Sequence, residues 1–241
     1  MLEVGTALTG HGDEMTDTGL TLAILGGTGD LGWGLAVRWL NAGYDITIGS
    51  RTREKAEDAA NKLTEFGFSG TVRGLENVEA ATAADIVVLT VPFANHHVML
   101  KTVKDAVQGK IFVDVTVPLV PPKVSRVQLP PEGSAAGRSQ EFLGEDVRVV
   151  SAFQNVAAGH LANIEHDIDC DVLVSGNDKA ARETVLELVE AAGMKGWHAG
   201  PVDNSAVAEA LTSVLIFLNR TYEIDGAGIR ITGESRGDAD Q

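Results

Sequence analysis

Cysteine, basic residues and long apolar runs are all scarce in this chain, and each shortage excludes something. The single cysteine, Cys170, cannot close an intrachain disulfide, so a reducing compartment, the cytoplasm, is expected. A lone thiol is as a rule a small buried apolar residue, and Cys170 is read that way. Lys and Arg number 19 against 34 Asp and Glu, a formal net charge of −15. Nucleic acids and anionic membranes require clustered cations, so neither is an expected partner. No apolar run approaches the roughly 20 residues that span a bilayer. Residues 1–19 carry Glu3, Asp13, Glu14 and Asp17 without a Lys or Arg, the reverse of a secretory signal's basic start. Paired cysteines are lacking, and no His and Glu fall at zinc-binding spacing, so no metal is expected; His160 and His166 are read as structural.

What is present suits a folded α/β chain. At 241 residues and 44% hydrophobic, it can build one large domain, or a large one with a smaller companion. Short β-branched runs alternate with helical patterns, the mark of βαβ units and a parallel sheet. Strands are expected over 22–25, 45–48, 85–91, 110–115, 147–152, 171–175 and 195–199, with a short one at 71–73. Helices are expected over 30–42, 53–66, 97–107, 135–143, 178–192 and 203–221. Residues 116–133 hold five prolines and form a long connection. The expected organisation is a polar tail over 1–19, a nucleotide domain over 20–152, a smaller α/β domain over 153–232 and a second polar tail over 233–241.

Chemistry begins after the first strand, at Gly26-Gly27-Thr28-Gly29-Asp30-Leu31-Gly32. Gly27, Gly29 and Gly32 satisfy G-x-G-x-x-G between a strand and a helix, the setting that gives the pattern meaning. Gly27 is expected to permit the tight turn, Gly29 to let backbone approach a pyrophosphate, and Gly32 to bring helix against strand. Amides from Thr28 to Leu31 would then face the phosphate oxygens from the helix start. The fold class that follows is a Rossmann-type doubly wound parallel sheet. Gly34 is read as a helix-packing position, and Trp33 and Trp39 as packing residues.

The second strand lacks the terminal Asp or Glu that holds a ribose 2′-hydroxyl in NAD enzymes. Instead it reads Gly49-Ser50-Arg51-Thr52-Arg53-Glu54-Lys55. A guanidinium matches phosphate oxygens in two places, whereas a carboxylate would repel them. Cations at a helix start oppose the macrodipole, so Arg51, Arg53 and Lys55 need another reason to be there. A 2′-phosphate supplies it, and NADP(H) is the expected nucleotide.

With these residues in view, the chain resembles the NADPH-dependent F420 reductase family over about residues 20–230. The resemblance rests on Ile24-Leu-Gly-Gly-Thr-Gly-Asp-Leu-Gly32, Ile48-Gly-Ser-Arg-Thr-Arg-Glu-Lys-Ala56 and Asp85-Ile-Val-Val-Leu-Thr-Val-Pro92. Val149-Val-Ser-Ala152, residues 171–178 and Ala199-Gly-Pro-Val-Asp-Asn204 continue it. It implies hydride transfer between NADP(H) and coenzyme F420, an 8-hydroxy-5-deazaflavin. It places the phosphates on Thr28, Gly29, Asp30 and Leu31, and the 2′-phosphate on Ser50, Arg51 and Lys55. Thr90, Val91, Pro92 and Phe93 would wall the adenosine and nicotinamide riboses, with Val117, Pro118 and Ala152 near the nicotinamide. Two positions depart from the family's pattern: Gln154 stands where Ser-Ala-φ-His (φ apolar) has its histidine, and Asn95-His96-His97 differs from the usual sequence there.

Two stacked rings need placement and dryness rather than a nucleophile, so no catalytic side chain is expected. Val91, Pro92, Phe93, Val117, Ala152 and Phe153 suit such a cleft and would equally suit a strand-end core. His97 is expected to be half-buried, with a contact to the cofactors as its functional reading, and His96 exposed. The helix over 203–221 is apolar on more than one face, which predicts a homodimer. Two competing functions remain. An imine or carbonyl reductase would draw a general acid from His97 or Asp114, and a non-catalytic NADPH sensor would bind without turnover.

Overall fold

The computed structural model describes residues 19–233, so the two expected tails lie outside it except for Gly19 and Gly233. Chain order runs β1 (Thr21–Leu25), α1 (Asp30–Asn41), β2 (Asp45–Ser50), α2 (Arg53–Thr64), β3 (Val72–Glu76), α3 (Asn77–Ala83), β4 (Ile86–Leu89) and α4 (Phe93–Val103). It continues with β5 (Ile111–Asp114), α5 (Ala135–Leu143), β6 (Arg148–Ser151), α6 (Ala158–Leu161), β7 (Asp171–Gly176), α7 (Lys179–Ala191), β8 (Lys195–His198), a 3-10 turn at Val202–Asn204 and α8 (Ser205–Tyr222).

The strands make one sheet in the order β3-β2-β1-β4-β5-β6-β7-β8. All neighbours among the described residues run parallel except β6 and β7, where Val150 faces Gly176 and Ser151 faces Ser175 in antiparallel register. Residues 153–232, expected as a smaller unit, thus add β7 and β8 to the edge of the same sheet. β1 shows why the strands read as unbroken apolar runs. Leu22 and Ile24 enter one core with Trp39 of α1 and Leu188 of α7, while Ala23 and Leu25 enter the other with Leu100 of α4 and Phe112 of β5. Helices cover both faces, so both sets of alternating side chains are buried.

Local chemistry explains where boundaries differ from expectation. β3 runs on to Glu76 and α3 follows it at once, capped by reciprocal side-chain to backbone bonds of Glu76 and Glu79. That capping box uses Glu where Ser or Thr would have given a sequence signal. α4 begins at Phe93, four residues before the expected start, behind Pro92 with φ −58° already set for a helix entry. The short α6 packs onto α1 at Gly34, where an added Cβ would collide with Cβ of Leu161. Gly34 is therefore a helix-packing glycine, as expected.

Arg38 ties α1 to the connection between β6 and β7 and to the end of α7. It is 7% exposed and spends its guanidinium on four carbonyls, those of Leu161, Asn163, His166 and Ala192, at 2.8–3.2 Å. Trp39 adds an indole bond of 2.8 Å to the carbonyl of Leu188.

Candidate functional site

β1 and β4 are neighbours, yet the chain leaves β1 toward β2 on one side and reaches β4 from β3 by crossing back. Ligands of open α/β sheets lie beyond the carboxyl ends of strands at such a switch point. The segments after β1, β4, β5 and β6 meet there, carrying residues 26–29, 90–93, 115–118 and 152–155.

The glycine loop divides its labour more finely than the motif suggests. The positive φ of the turn falls on Gly26 (+80°), one residue before the G-x-G. Gly27, expected to permit that turn, is needed for close approach instead: a Cβ there would lie 3.0 Å from the carbonyl of Ile24 and 3.1 Å from Ile48. Gly32 presses harder, with Oγ1 of Thr90 at 2.6 Å and Cα of Gly27 at 2.7 Å from a built Cβ. Gly29 is different in kind, since its Cβ would meet only the Gly26 carbonyl at an ordinary 3.6 Å. No protein atom requires a glycine at position 29; an approaching ligand would.

Four amides were expected to face the phosphates. The structure removes one, because Gly29 N–H donates to the Gly26 carbonyl at 3.0 Å. Those of Thr28, Asp30 and Leu31 have no acceptor among the described residues. Beside them, β2 ends in Ser50, buried and with its hydroxyl unbonded, and Arg51 and Lys55 follow on the surface. Arg53 is withdrawn from the cluster by Glu79 at 2.6 Å and Glu57 at 3.8 Å. Arg51 and Lys55 keep no ion-pair partner among the described residues. A groove of about 470 Å³ joins Thr28, Gly29, Asp30 and Trp33 to Lys55 and Lys62 of α2, with Asp58 between them. Free amides, free cations and a Cβ-sized opening at Gly29 fit a dinucleotide bearing a 2′-phosphate. A larger hollow of about 610 Å³ opens at the opposite, amino ends of the strands, and its Lys110 ammonium is taken by the carbonyls of Ala81 and Thr82.

On the other side of the cleft, Thr90 donates to the Leu25 carbonyl through both its amide and its hydroxyl, each at 2.9 Å. Val91 packs against Gly26, where an added Cβ would meet it at 2.8 Å, and Pro92 is exposed. Phe93 is half-buried with the Arg138 guanidinium 5.1 Å from its ring centre. Val117 is half-buried after β5, and Ala152 is fully buried after β6. Phe153 adopts φ +70°, a left-handed conformation that a bulky residue rarely holds, and lays its ring edge-on to Trp39 at 5.8 Å.

The expected roles of the two histidines are reversed. His97 is exposed on the outside of α4, its ring 5.0 Å from Phe142 of α5, whereas His96 is fully buried. His96 faces inward because Asp114 and Ser139 give its ring buried polar partners, while His97 lies against Phe142. His96 Nε2 lies 2.7 Å from Oδ2 of Asp114, and Ser139 of α5 donates to the same oxygen at 2.6 Å. Thr116 N–H donates to Oδ1 at 2.9 Å. Burial alone would raise the Asp114 carboxyl, but His96, Ser139 and Thr116 outweigh it and hold the group below its ordinary value. Nothing in the local sequence marks His96. A carboxylate ending the apolar run Ile111-Phe-Val-Asp114 was the available signal, since a buried charge needs partners.

Gln154 donates to the Asp114 carbonyl and to Ser151 Oγ, both at 2.8 Å. Glu209 of α8 also reaches in, accepting the amides of Ala135 at 2.6 Å and Ala136 at 3.1 Å at the start of α5. Burial pushes its carboxyl up to about 8, against the pull of those two amides and Arg138; Asp114 adds to the rise.

Fold and site together define a dinucleotide-binding oxidoreductase of the NADP type. A family model described as NADP oxidoreductase, coenzyme F420-dependent, matches residues 21–118. The F420-dependent NADP reductase of Methanocaldococcus jannaschii is 42% identical over 221 residues, covering 88% of this chain and 98% of that protein. Its counterpart from Methanothermobacter thermautotrophicus is 40% identical over 220 residues, 88% of this chain and 95% of the relative. The chain belongs to the F420-dependent NADP reductase family. Among solved structures, a hypothetical protein from Sinorhizobium meliloti superposes with a TM-score of 0.64 at 25% identity, covering 79% of this chain and 90% of that one.

Proposed function

We propose that this chain transfers hydride between NADP(H) and the deazaflavin coenzyme F420, holding the diphosphate on Thr28, Gly29, Asp30 and Leu31 and the 2′-phosphate among Ser50, Arg51 and Lys55. One observation carries the placement: the partnerless amides of Thr28 and Asp30 and the partnerless ammonium of Lys55 line one groove, with the free amide of Leu31 next in sequence to the first pair. When bound, the nicotinamide and deazaflavin supply the hydride-donating and hydride-accepting carbons. The chain's own task is to align two planar rings and keep water away. Thr90, bonded twice to Leu25, fixes the wall that Val91, Pro92 and Phe93 present. Val117 and Ala152 serve the nicotinamide end, with Gln154 taking the place of the family's histidine as a backbone tie. His97 stands on the outside of α4, so no ligand contact is retained for it.

Mixing protein, NADPH and oxidised F420 and following the deazaflavin's visible absorbance tests the reading. Bleaching is expected within turnover time. Turnover with imines or carbonyls only, or binding with no turnover, would refute it.

Three further features belong to the same proposal. Residues 20–152 act as the nucleotide unit and 153–232 as its cover. The protein works in the cytoplasm, a reading supported by the lone reduced Cys170 and by a reaction that draws on the cell's NADP(H) pool. No helix among the described residues is long and apolar enough to cross a membrane. Finally, two copies pair through α8, whose Val207, Val214 and Phe217 are 60%, 44% and 53% exposed along one side.

A further inference from the structure

We propose that His96, Asp114 and Ser139 form a buried positioning centre that sets the nicotinamide-side wall of the cleft. The inference rests on the nucleotide placement proposed above. All three side chains are fully buried, beside the buried polar side chains of Thr116, Ser151 and Gln154. Polar groups so placed cost stability unless bonded, so their arrangement is constrained. A Ser, His and Asp together invite comparison with a nucleophilic triad, but the geometry refuses it. Ser139 gives its proton to Asp114 directly at 2.6 Å, and none of the three has a path to solvent. A nucleophile needs a free hydroxyl facing a substrate.

The centre's reach is what gives it a function. Through His96 it holds α4, whose first residue Phe93 sits with its ring 6.1 Å from the His96 ring and nearly parallel at 25°. Through Oδ1 it holds the amide of Thr116, one residue before Val117. Through the Asp114 carbonyl it holds Gln154, two residues after Ala152. Through Ser139 it fixes α5, from which the Arg138 guanidinium reaches the Phe93 ring at 5.1 Å. The turns bearing Phe93, Val117 and Ala152 come from three different strands, and this one carboxylate residue ties all of them. The glycine loop and the Ser50–Arg51 corner make no bond to it. The centre should therefore govern the nicotinamide half of the dinucleotide and leave the adenosine half alone.

Calorimetry with two probes separates the halves: NADP+ itself, and adenosine 2′,5′-bisphosphate, which lacks the nicotinamide. For His96→Leu, NADP+ affinity and the single-turnover hydride-transfer rate should each fall about tenfold, while bisphosphate affinity stays within about twofold. His96→Gln, whose Nε2–H can reach the same carboxylate, should restore both losses. Ser139→Ala should show a smaller loss with the same split, and it decides the matter should His96→Leu not fold. Unchanged NADP+ binding and transfer in folded variants would overturn the inference, as would parallel losses for both probes, which mark general loosening. Failure of the unaltered protein to bind the bisphosphate would instead overturn the nucleotide placement, and the inference with it.

Discussion

Gly29 and Gly32 lie three residues apart and should respond to alanine in opposite ways. At Gly29 the added methyl has room in the protein, so stability should change by less than about 0.5 kcal/mol. The same methyl would stand where a diphosphate meets the backbone, and NADPH affinity should fall at least about tenfold. At Gly32 the methyl collides with Thr90 and Gly27, so thermal unfolding should show the damage first. Equal loss of stability at both positions would remove the ligand-approach role of Gly29. Arg51→Ala tests the neighbouring corner. Losing a charge-assisted bond of about 1.5–3 kcal/mol should raise the Michaelis constant for NADPH steeply and that for NADH little. A like effect on both nucleotides would refute a 2′-phosphate contact. These positions were legible because each carries its reason locally, in a glycine spacing or an absent carboxylate. His96 and Arg38 were not, since their partners lie 18 to 154 residues away in the chain.

Among elements, α8 has the most unusual chemistry, because a surface helix brings a carboxyl into the interior. Glu209 has a folded-state value near 8, so the folded chain retains a proton that the unfolded chain releases near 4.5. Its contribution to stability is full below that lower value and fades as pH rises through about 8. Glu209→Gln cannot titrate. The stability of the unaltered protein relative to this variant should therefore drop by more than about 1 kcal/mol between roughly pH 5 and 8.5, read by denaturant titration. A difference that stays constant across that range would show that Glu209 is ionised throughout. Helix boundaries illustrate the limits of reading elements from sequence. α3 is short and capped by Glu76, so neither its period nor its cap stood out. The start of α4 hid behind Phe93 and Ala94, and the choice of His96 over His97 as the inner histidine depends on Asp114 and Ser139, which lie outside that helix.

For the whole molecule, the strand alternation was legible from apolar runs separated by turn residues, and the parallel order followed from the helical crossovers. The reversal between β6 and β7 was not, for strand direction is decided by how the chain returns, and that segment carries no period. Likewise Phe153 has no sequence signal for its left-handed turn. The apolar side of α8 gives a quaternary prediction. Light scattering at micromolar concentration should report a dimer, and Phe217→Glu should shift it to monomer with secondary structure intact. A monomeric unaltered protein would end that proposal.

Arg38 carries a mechanical consequence. One end of α1 carries the unpaired amides proposed to meet the phosphates, and the far half of the same helix is clamped to the carbonyls of Leu161, Asn163 and His166 and to the end of α7. The proposed nucleotide seat is thereby joined through α1 to the connection before β7 and to the end of α7. Room for a second flat ring must then come from outside that joint, and the proline-rich stretch between β5 and α5 borders the cleft, held at Thr116 by Asp114 and at Arg126 by Ser213 of α8.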